Sequence, residues 1–167
     1  MVYTHYYTSP IGRLEIQADD TAILGVFFAD GTKKNAPGQP ASDIVPDVMR
    51  QCLVELADYF AGTRQAFTVP YRLVGSDFRR SVWQQLTQIP YGQTITYGEQ
   101  ARRLGNPKAV RAVGTTNSSN PISIIVPCHR VVGANGDLVG FGGGLAAKRW
   151  LLDHERQFCP PAQLSLF

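Results

Sequence analysis

The sequence predicts an α+β fold in two parts, and three observations predict it. Runs of β-branched and aromatic residues fill the first 30 positions, with turn residues between them. A helical period follows in residues 43–60. After Gly75-Ser76-Asp77 the pattern changes to short helical segments punctuated by Gly, Asn and Pro. The charge changes there too: six Lys/Arg face eight Asp/Glu up to Ser76, and ten face five from Asp77 onward. Residues 1–75 are therefore expected to form a small α+β domain, residues 76–157 a helical basic one, and residues 158–167 a loosely attached tail. A basic second half suits a polyanionic partner.

Taken in order, Val2 to Thr8 reads as a strand, Ser9-Pro10-Ile11-Gly12 as a turn, and Leu14-Glu15-Ile16 as an alternating strand. Asp19-Asp20 ends it, and Ala22 to Phe28 is a third strand, closed by Asp30-Gly31. Lys33 to Pro40 reads as loop. Asp43 to Phe60 reads as a helix with Val45, Val48, Cys52, Leu56 and Tyr59 or Phe60 on its apolar face and Gly62 at its C-terminal end. Phe67 to Leu73 is expected to be a last strand. Asp77 is expected to cap a helix from Phe78 to Ile89 that buries Val82, Trp83, Leu86 and Ile89. Thr96-Tyr97-Gly98-Glu99 matches a capping box. The helix it starts ends near Leu104, with Gly105 as a left-handed cap. Asn106 and Pro107 then open another helix running to about Asn117. Helix, Gly-Asn turn, helix is a helix-turn-helix signature. Its second helix carries the small residues Ala109, Ala112 and Gly114, with Arg111 as its one arginine. Asn135-Gly136 predicts a type I′ hairpin turn, Gly140 to Gly144 a flexible loop, and Leu145 to Glu155 a final helix, with Leu145, Lys148/Arg149 and Leu152 at helical spacing.

Composition excludes several classes. With 44% hydrophobic and 17% charged residues the chain can pack a core. Its three cysteines, Cys52, Cys128 and Cys159, have no paired spacing, which fits a reducing compartment better than a disulfide framework. Cys52 and His5 fall two ligands short of a zinc site in the first half. Arg13, Glu15, Asp19 and Asp20 interrupt any leader-like apolar run, and no stretch approaches a membrane span.

The chemistry centres on Ile124-Ile125-Val126-Pro127-Cys128-His129-Arg130-Val131-Val132. The β-branched run and Pro127 predict extended geometry. Side chains of neighbours on a strand point to opposite faces, so Cys128 and His129 meet only if the chain turns here or a water bridges them. A nucleophilic thiol needs a base, and the base needs a carboxylate to set its tautomer. Arg130 suits a structural ion pair or a phosphate. His5 and His154 read as surface residues.

Pro127-Cys128-His129-Arg130-Val131, Gly105 to Gly114, Asn120-Pro121, Gly143-Gly144-Leu145 and Trp150-Leu151-Leu152-Asp153-His154-Glu155 together resemble the O6-alkylguanine–DNA alkyltransferases. The resemblance is close from Phe78 to Glu155 and looser before it. It implies a ribonuclease-H-like N-terminal domain and a winged helix-turn-helix domain that enters the minor groove of double-stranded DNA. It implies irreversible transfer of an alkyl group from O6-alkylguanine, and from O4-alkylthymine, to Cys128, once per molecule, after the nucleotide is flipped out. By resemblance, His129 draws the thiol proton through a water and Glu155 orients His129. Tyr97 donates towards the flipped base, and Asn120 is the hinge between the helix-turn-helix and the reactive strand. Carbonyls of Cys128 and Val131 accept from the guanine amine, and Phe141 and Gly142 complete the substrate pocket. Arg111 fills the gap in the duplex, with Asn106, Ala109 and Ala112 against DNA. The family further implies no metal, no cofactor, no obligate protein partner, a monomer in the absence of DNA, and a cytoplasmic location.

Two departures bear on substrate range. Phe141 stands where many members have tyrosine, and Ser123 where some have a second proline, which leaves the pocket wall less rigid. Three other readings compete: a lesion-flagging protein without chemistry, a helix-turn-helix regulator, and a cysteine hydrolase. The first lacks a use for Cys128, the second for Cys128, His129 and Glu155 as a set, and the third requires turnover.

Overall fold

The computed structural model describes residues 1–30 and 34–160. β1 (Tyr3–Ser9), β2 (Gly12–Ala18) and β3 (Ile23–Phe28) form an antiparallel meander. Pairing runs from Tyr3↔Ala18 to Ser9↔Gly12, and from Leu14↔Phe28 to Ala18↔Ile23 with an irregularity at Gln17/Ala18. α1 (Asp47–Phe60) packs on this sheet, burying Val48, Met49, Cys52, Leu56 and Tyr59 in one core with Leu14, Ile16, Val26 and Phe28. Cys52 is core, as expected, and burial pushes its thiol up to about 12. The loop expected after β3 is present over residues 34–40; Gly31 to Lys33 lie outside the described residues. Buried Glu15 pins that loop by accepting from Gly38 N at 2.8 Å and Gln39 N at 3.2 Å.

Two expectations in this half need correction. α1 starts at Asp47, not Asp43, because Pro46 occupies the cap position at ψ 160° and keeps Val45 out of helical geometry. No strand forms over residues 67–73. Tyr71 makes one parallel bridge to Ile23, and Pro70 supplies a carbonyl but no N–H to a ladder. The Glu55 carboxylate takes the neighbouring donors instead, accepting from Thr68 N at 2.8 Å, Thr68 Oγ1 at 2.7 Å and Val69 N at 3.1 Å.

The second half holds α2 (Asp77–Leu86), α3 (Tyr97–Arg103), α4 (Val110–Ser118) and α5 (Leu145–Phe158). The short strands β4 (Ile95–Thr96) and β5 (Val131–Val132) pair in parallel. Ser76, rather than Asp77, caps α2 by accepting from Arg79 N at 3.2 Å, and α2 stops at Leu86 although Ile89 is buried as expected. Thr96 caps α3 at 3.1 Å from Glu99 N. The Glu99 side chain does not close the box; it turns to Arg102 and Arg103 at 2.8 and 2.9 Å. Gly105 takes its left-handed conformation at φ +78°. Asn106 does not cap α4. Its carbonyl accepts from Ala109 N at 3.0 Å in a separate turn containing Pro107, and α4 begins three residues later than expected, at Val110. The helix-turn-helix is fixed from beneath: Trp83 Nε1 donates to Thr116 O at 2.9 Å, and buried Gln100 and Asn117 exchange bonds at 2.7 and 3.3 Å.

Asn135 has negative φ, so the predicted type I′ turn is absent; Gly136 alone is left-handed, at +81°, and Gly133 N closes on Asp137 O at 2.8 Å. α5 runs past Glu155 to Phe158, whose ring lies 4.9 Å from that of His154, and Cys159 is buried. The expected loose tail therefore does not begin at Phe158; residues 161–167 lie outside the described residues. His154 is buried rather than at the surface, bonded to Tyr59 O at 2.7 Å and stacked 4.7 Å from Trp150, and His5 is half-buried. Among the described residues no helix is long and apolar enough to cross a membrane.

Candidate active site

The site loop starts from Asn120, at the end of α4. Asn120 Oδ1 accepts from Ile122 N at 3.0 Å, and its Nδ2 donates to Val126 O at 2.7 Å. These bonds bend a segment whose composition reads as extended. Ile125 N closes on Ser123 O at 2.8 Å across Ile124 at φ +74°, a γ-turn of the strained kind. Cys128 N closes on Val126 O at 2.9 Å across Pro127 at φ −85°, ψ 65°, an inverse γ-turn. The chain then winds into a 3₁₀ turn over Cys128–Arg130. The predicted strand is thus replaced by two tight turns and a short helix. A β-branched residue in the left-handed region costs ~1–3 kcal/mol. Ser123 N donates to Val26 O at 3.2 Å, a bond that a proline there could not make, and so anchors the loop beside β3.

Cys128 is 5% exposed. Burial pushes its thiol up, while a hydrogen bond from Asn120 and the positive charge of Lys148 pull it back. His129 is fully buried, with Nε2 2.6 Å from Glu155 Oε2. Glu155 also accepts from Arg130 Nε at 2.7 Å and Nη2 at 3.0 Å, from Tyr59 OH at 2.7 Å and from Gly92 N at 3.2 Å. Burial opposes its charge, but His129 and Arg130 outweigh it and hold the carboxyl well below the usual range. An ionised Glu155 only accepts, so His129 must carry its proton on Nε2. That leaves the Nδ1 lone pair free, and no protein group among the described residues bonds it. Burial lowers the His129 value further, so the imidazole is neutral near pH 7. A neutral imidazole of fixed tautomer with an unbonded nitrogen is able to accept a proton.

Lys148 is the functional group the sequence did not single out. It lies on the inward stripe of α5 and is 0% exposed. Nζ donates to Val139 O at 2.9 Å and lies 3.4 Å from Tyr97 OH, which itself donates to Val139 O at 2.7 Å. Burial lowers Lys148 from 10.5 to about 8. Between those two values the unfolded chain holds the lysine proton and the folded one does not, so the contribution of Lys148 to stability rises with pH there, while the raised thiols of Cys52 and Cys128 contribute in the opposite direction. We expect the stability of the wild type relative to Lys148→Met to increase from pH 8 to 10, by up to about 3 kcal/mol over the full shift, whatever the slope of either protein alone. Scans across that range check it; equal slopes would place the lysine's charge in water.

An open cavity of about 330 Å³ is lined by Tyr97 and Val139 together with Arg111, Gly114, Ser118 and Gly140. Arg111 is exposed and makes no ion pair among the described residues. Asn106 and Ala112 are exposed and Ala109 half-buried, all outside that lining. Val131 is buried in β5 opposite Ile95. Phe141 is buried edge-on against Phe28 at 5.4 Å, and a Cβ on Gly142 would meet Asn35 Nδ2 at 2.6 Å. The structure therefore brings Cys128, His129, Glu155, Tyr97, Asn120 and Lys148 together, with Arg111 at the rim. Sequence reasoning passed over Lys148, Tyr59, Val139 and Gly140. A lysine at core spacing on α5 was the available signal for the first. Among the described residues no group of three His, Cys, Asp or Glu could hold a metal ion.

Comparisons with known proteins match both halves of the chain. The family model described as 6-O-methylguanine DNA methyltransferase, DNA binding domain, matches residues 77–157, and that of its ribonuclease-like domain matches residues 2–73. The chain is 44% identical to the methylated-DNA–protein-cysteine methyltransferase of Methanosarcina acetivorans over 92% of this chain and 98% of that one. It is also 44% identical to the protein of that name from Haemophilus influenzae, over 93% and 87%. Among solved structures, the Mycobacterium tuberculosis O6-methylguanine methyltransferase superposes with a TM-score of 0.86 at 40% identity, covering 100% of both chains. A Mycobacterium tuberculosis structure in complex with DNA superposes with 0.84 at 40% identity over 96% of each.

Proposed function

The chain belongs to the O6-methylguanine DNA methyltransferase family, and we propose that it repairs DNA by moving the alkyl group of O6-alkylguanine onto Cys128. One observation carries the reading: Glu155, ionised and held by its donors, leaves His129, next to Cys128 in the 3₁₀ turn, with a free basic nitrogen.

His129 Nδ1 takes the Cys128 proton through a water. The thiolate attacks the alkyl carbon, an S–C bond forms, and the C–O6 bond breaks with its electron pair passing to the guanine. Tyr97, flanked by Lys148, supplies a proton towards the base as that charge develops. The thioether has no hydrolysable bond, so each molecule reacts once. O4-alkylthymine presents the same alkyl–oxygen bond and is read as a second substrate. Asn120 holds the reactive loop to α4, carbonyls of Cys128 and Val131 with Phe141 and Gly142 shape the base pocket, and Arg111, Asn106, Ala109 and Ala112 meet the minor groove of double-stranded DNA. On this reading residues 76–157 do the chemistry and residues 1–75 support it, acting as a monomer, in the cytoplasm, with DNA as partner and no obligate protein partner.

Intact-mass measurement after mixing with a methylated-guanine oligonucleotide tests this. One increment of about 14 Da, a CH₂, is expected, on the peptide that holds Cys128. Several turnovers per molecule, or an adduct on Cys52 or Cys159, would overturn the assignment.

A further inference from the structure

Tyr59 sits in α1, in the half of the chain that carries none of the reactive groups, yet it reaches the centre of the site. Its hydroxyl lies 2.7 Å from Glu155 Oε2, the oxygen that also faces His129 Nε2 at 2.6 Å. Its backbone carbonyl accepts from His154 Nε2 at 2.7 Å, so one residue grips two consecutive positions of α5. The ring is boxed by Phe67 at 5.5 Å, Tyr91 at 6.3 Å and His154 at 5.3 Å, and the residue is 0% exposed. Burial and the Glu155 charge raise the phenol well above its usual value, so the hydroxyl stays protonated and donates.

We propose that Tyr59 is a positioning residue for the alkyl transfer, fixing the orientation and tempering the basicity of the Glu155 carboxylate that holds His129. The inference rests on His129 being the base. The groups facing Glu155 are His129 and Arg130 from the 3₁₀ turn, Tyr91 and Gly92 from the loop before β4, Cys159 beyond α5, and Tyr59 from α1. The positive charge of Lys148 acts on both His129 and Cys128. Arg130 holds both carboxylate oxygens and Gly92 only Oε1, so Tyr59 is the neutral donor aimed at the oxygen that His129 uses. Withdrawing it concentrates charge on Oε2. A more charged Oε2 stabilises imidazolium, raises the His129 pKa and removes one of the fixed points that orient the ring.

Tyr59→Phe keeps the ring and deletes the bond. Single-turnover rates should fall about tenfold, equally on methylated duplex and on free O6-benzylguanine, because the loss lies in the chemistry and not in DNA binding. The acid limb of the pH–rate profile should move to higher pH. Fluorotyrosine placed at position 59, a stronger donor of nearly the same shape, should move it to lower pH, and this arm stands even if Tyr59→Phe folds poorly. A lower melting temperature with an unmoved limb in both variants would reduce Tyr59 to a packing residue and overturn the proposal. Unchanged rates in Tyr59→Phe alongside a slow Glu155→Gln would overturn it too, while leaving the reading of His129 in place. Unchanged rates in both would remove that reading as well.

Discussion

Glu155→Gln should slow single-turnover alkyl transfer by ~10²–10⁴-fold, the usual worth of general-base assistance, with DNA affinity nearly unaltered. Two losses combine. A neutral amide accepts less strongly from His129 Nε2 and can present an N–H instead, which favours the tautomer with its proton on Nδ1, the wrong nitrogen. It also leaves Arg130, 7% exposed, without its counter-charge. Breaking a buried ion pair on one side costs ~3–5 kcal/mol, so the variant should also melt earlier. Rates must therefore be compared well below its melting temperature, with DNA binding measured on the same sample. An unchanged rate on folded protein would take Glu155 out of the mechanism.

Arg111→Ala should slow repair of duplex DNA by well over an order of magnitude and hardly affect free O6-benzylguanine. Extruding a nucleotide costs a few kcal/mol, and the Arg111 guanidinium, exposed on the wall of the cavity that Tyr97 also lines, has the length and fixed charge to fill the space a nucleotide would leave. Free base needs no extrusion. A phosphate contact would behave differently, weakening all DNA binding uniformly and reducing the salt slope by about one. Binding across salt concentrations, with rates on both substrates, separates the two. Equal losses on duplex and free base would make Arg111 part of the pocket or the fold and end the flipping role.

The comparison of sequence with structure turns on particular residues. The meander, α1, Gly62, Gly105 and the Thr96 cap were legible because each rests on local pattern or on a conformation that one residue type favours. Cys128 and His129 stood out from the residues themselves, and Tyr97, Asn120 and Glu155 only through the family resemblance. The bend over Ile122 to Pro127 was not, because Ile-Ile-Val favours an extended chain locally and only the Asn120 side chain, together with docking on β3, imposes the γ-turns. The absent strand near Pro70 reflects a carboxylate, Glu55, that outcompetes a ladder. Lys148 and Tyr59 occupy positions that periodicity assigns to core. Their polar ends matter through partners 51 and 96 residues away, a relation no local window contains.

That distance sets a schedule for synthesis. Glu155 collects donors from positions 59, 92, 129 and 130. During translation Cys128 and His129 are made before the carboxylate that bonds His129. At about 5–20 residues per second the 27 residues from Cys128 to Glu155 take about 1–5 s. Through that interval the thiol has no oriented imidazole, and it gains one when α5 docks against α1 and the 3₁₀ turn. The surroundings of the nucleophile are thus assembled only as the last helix closes the fold.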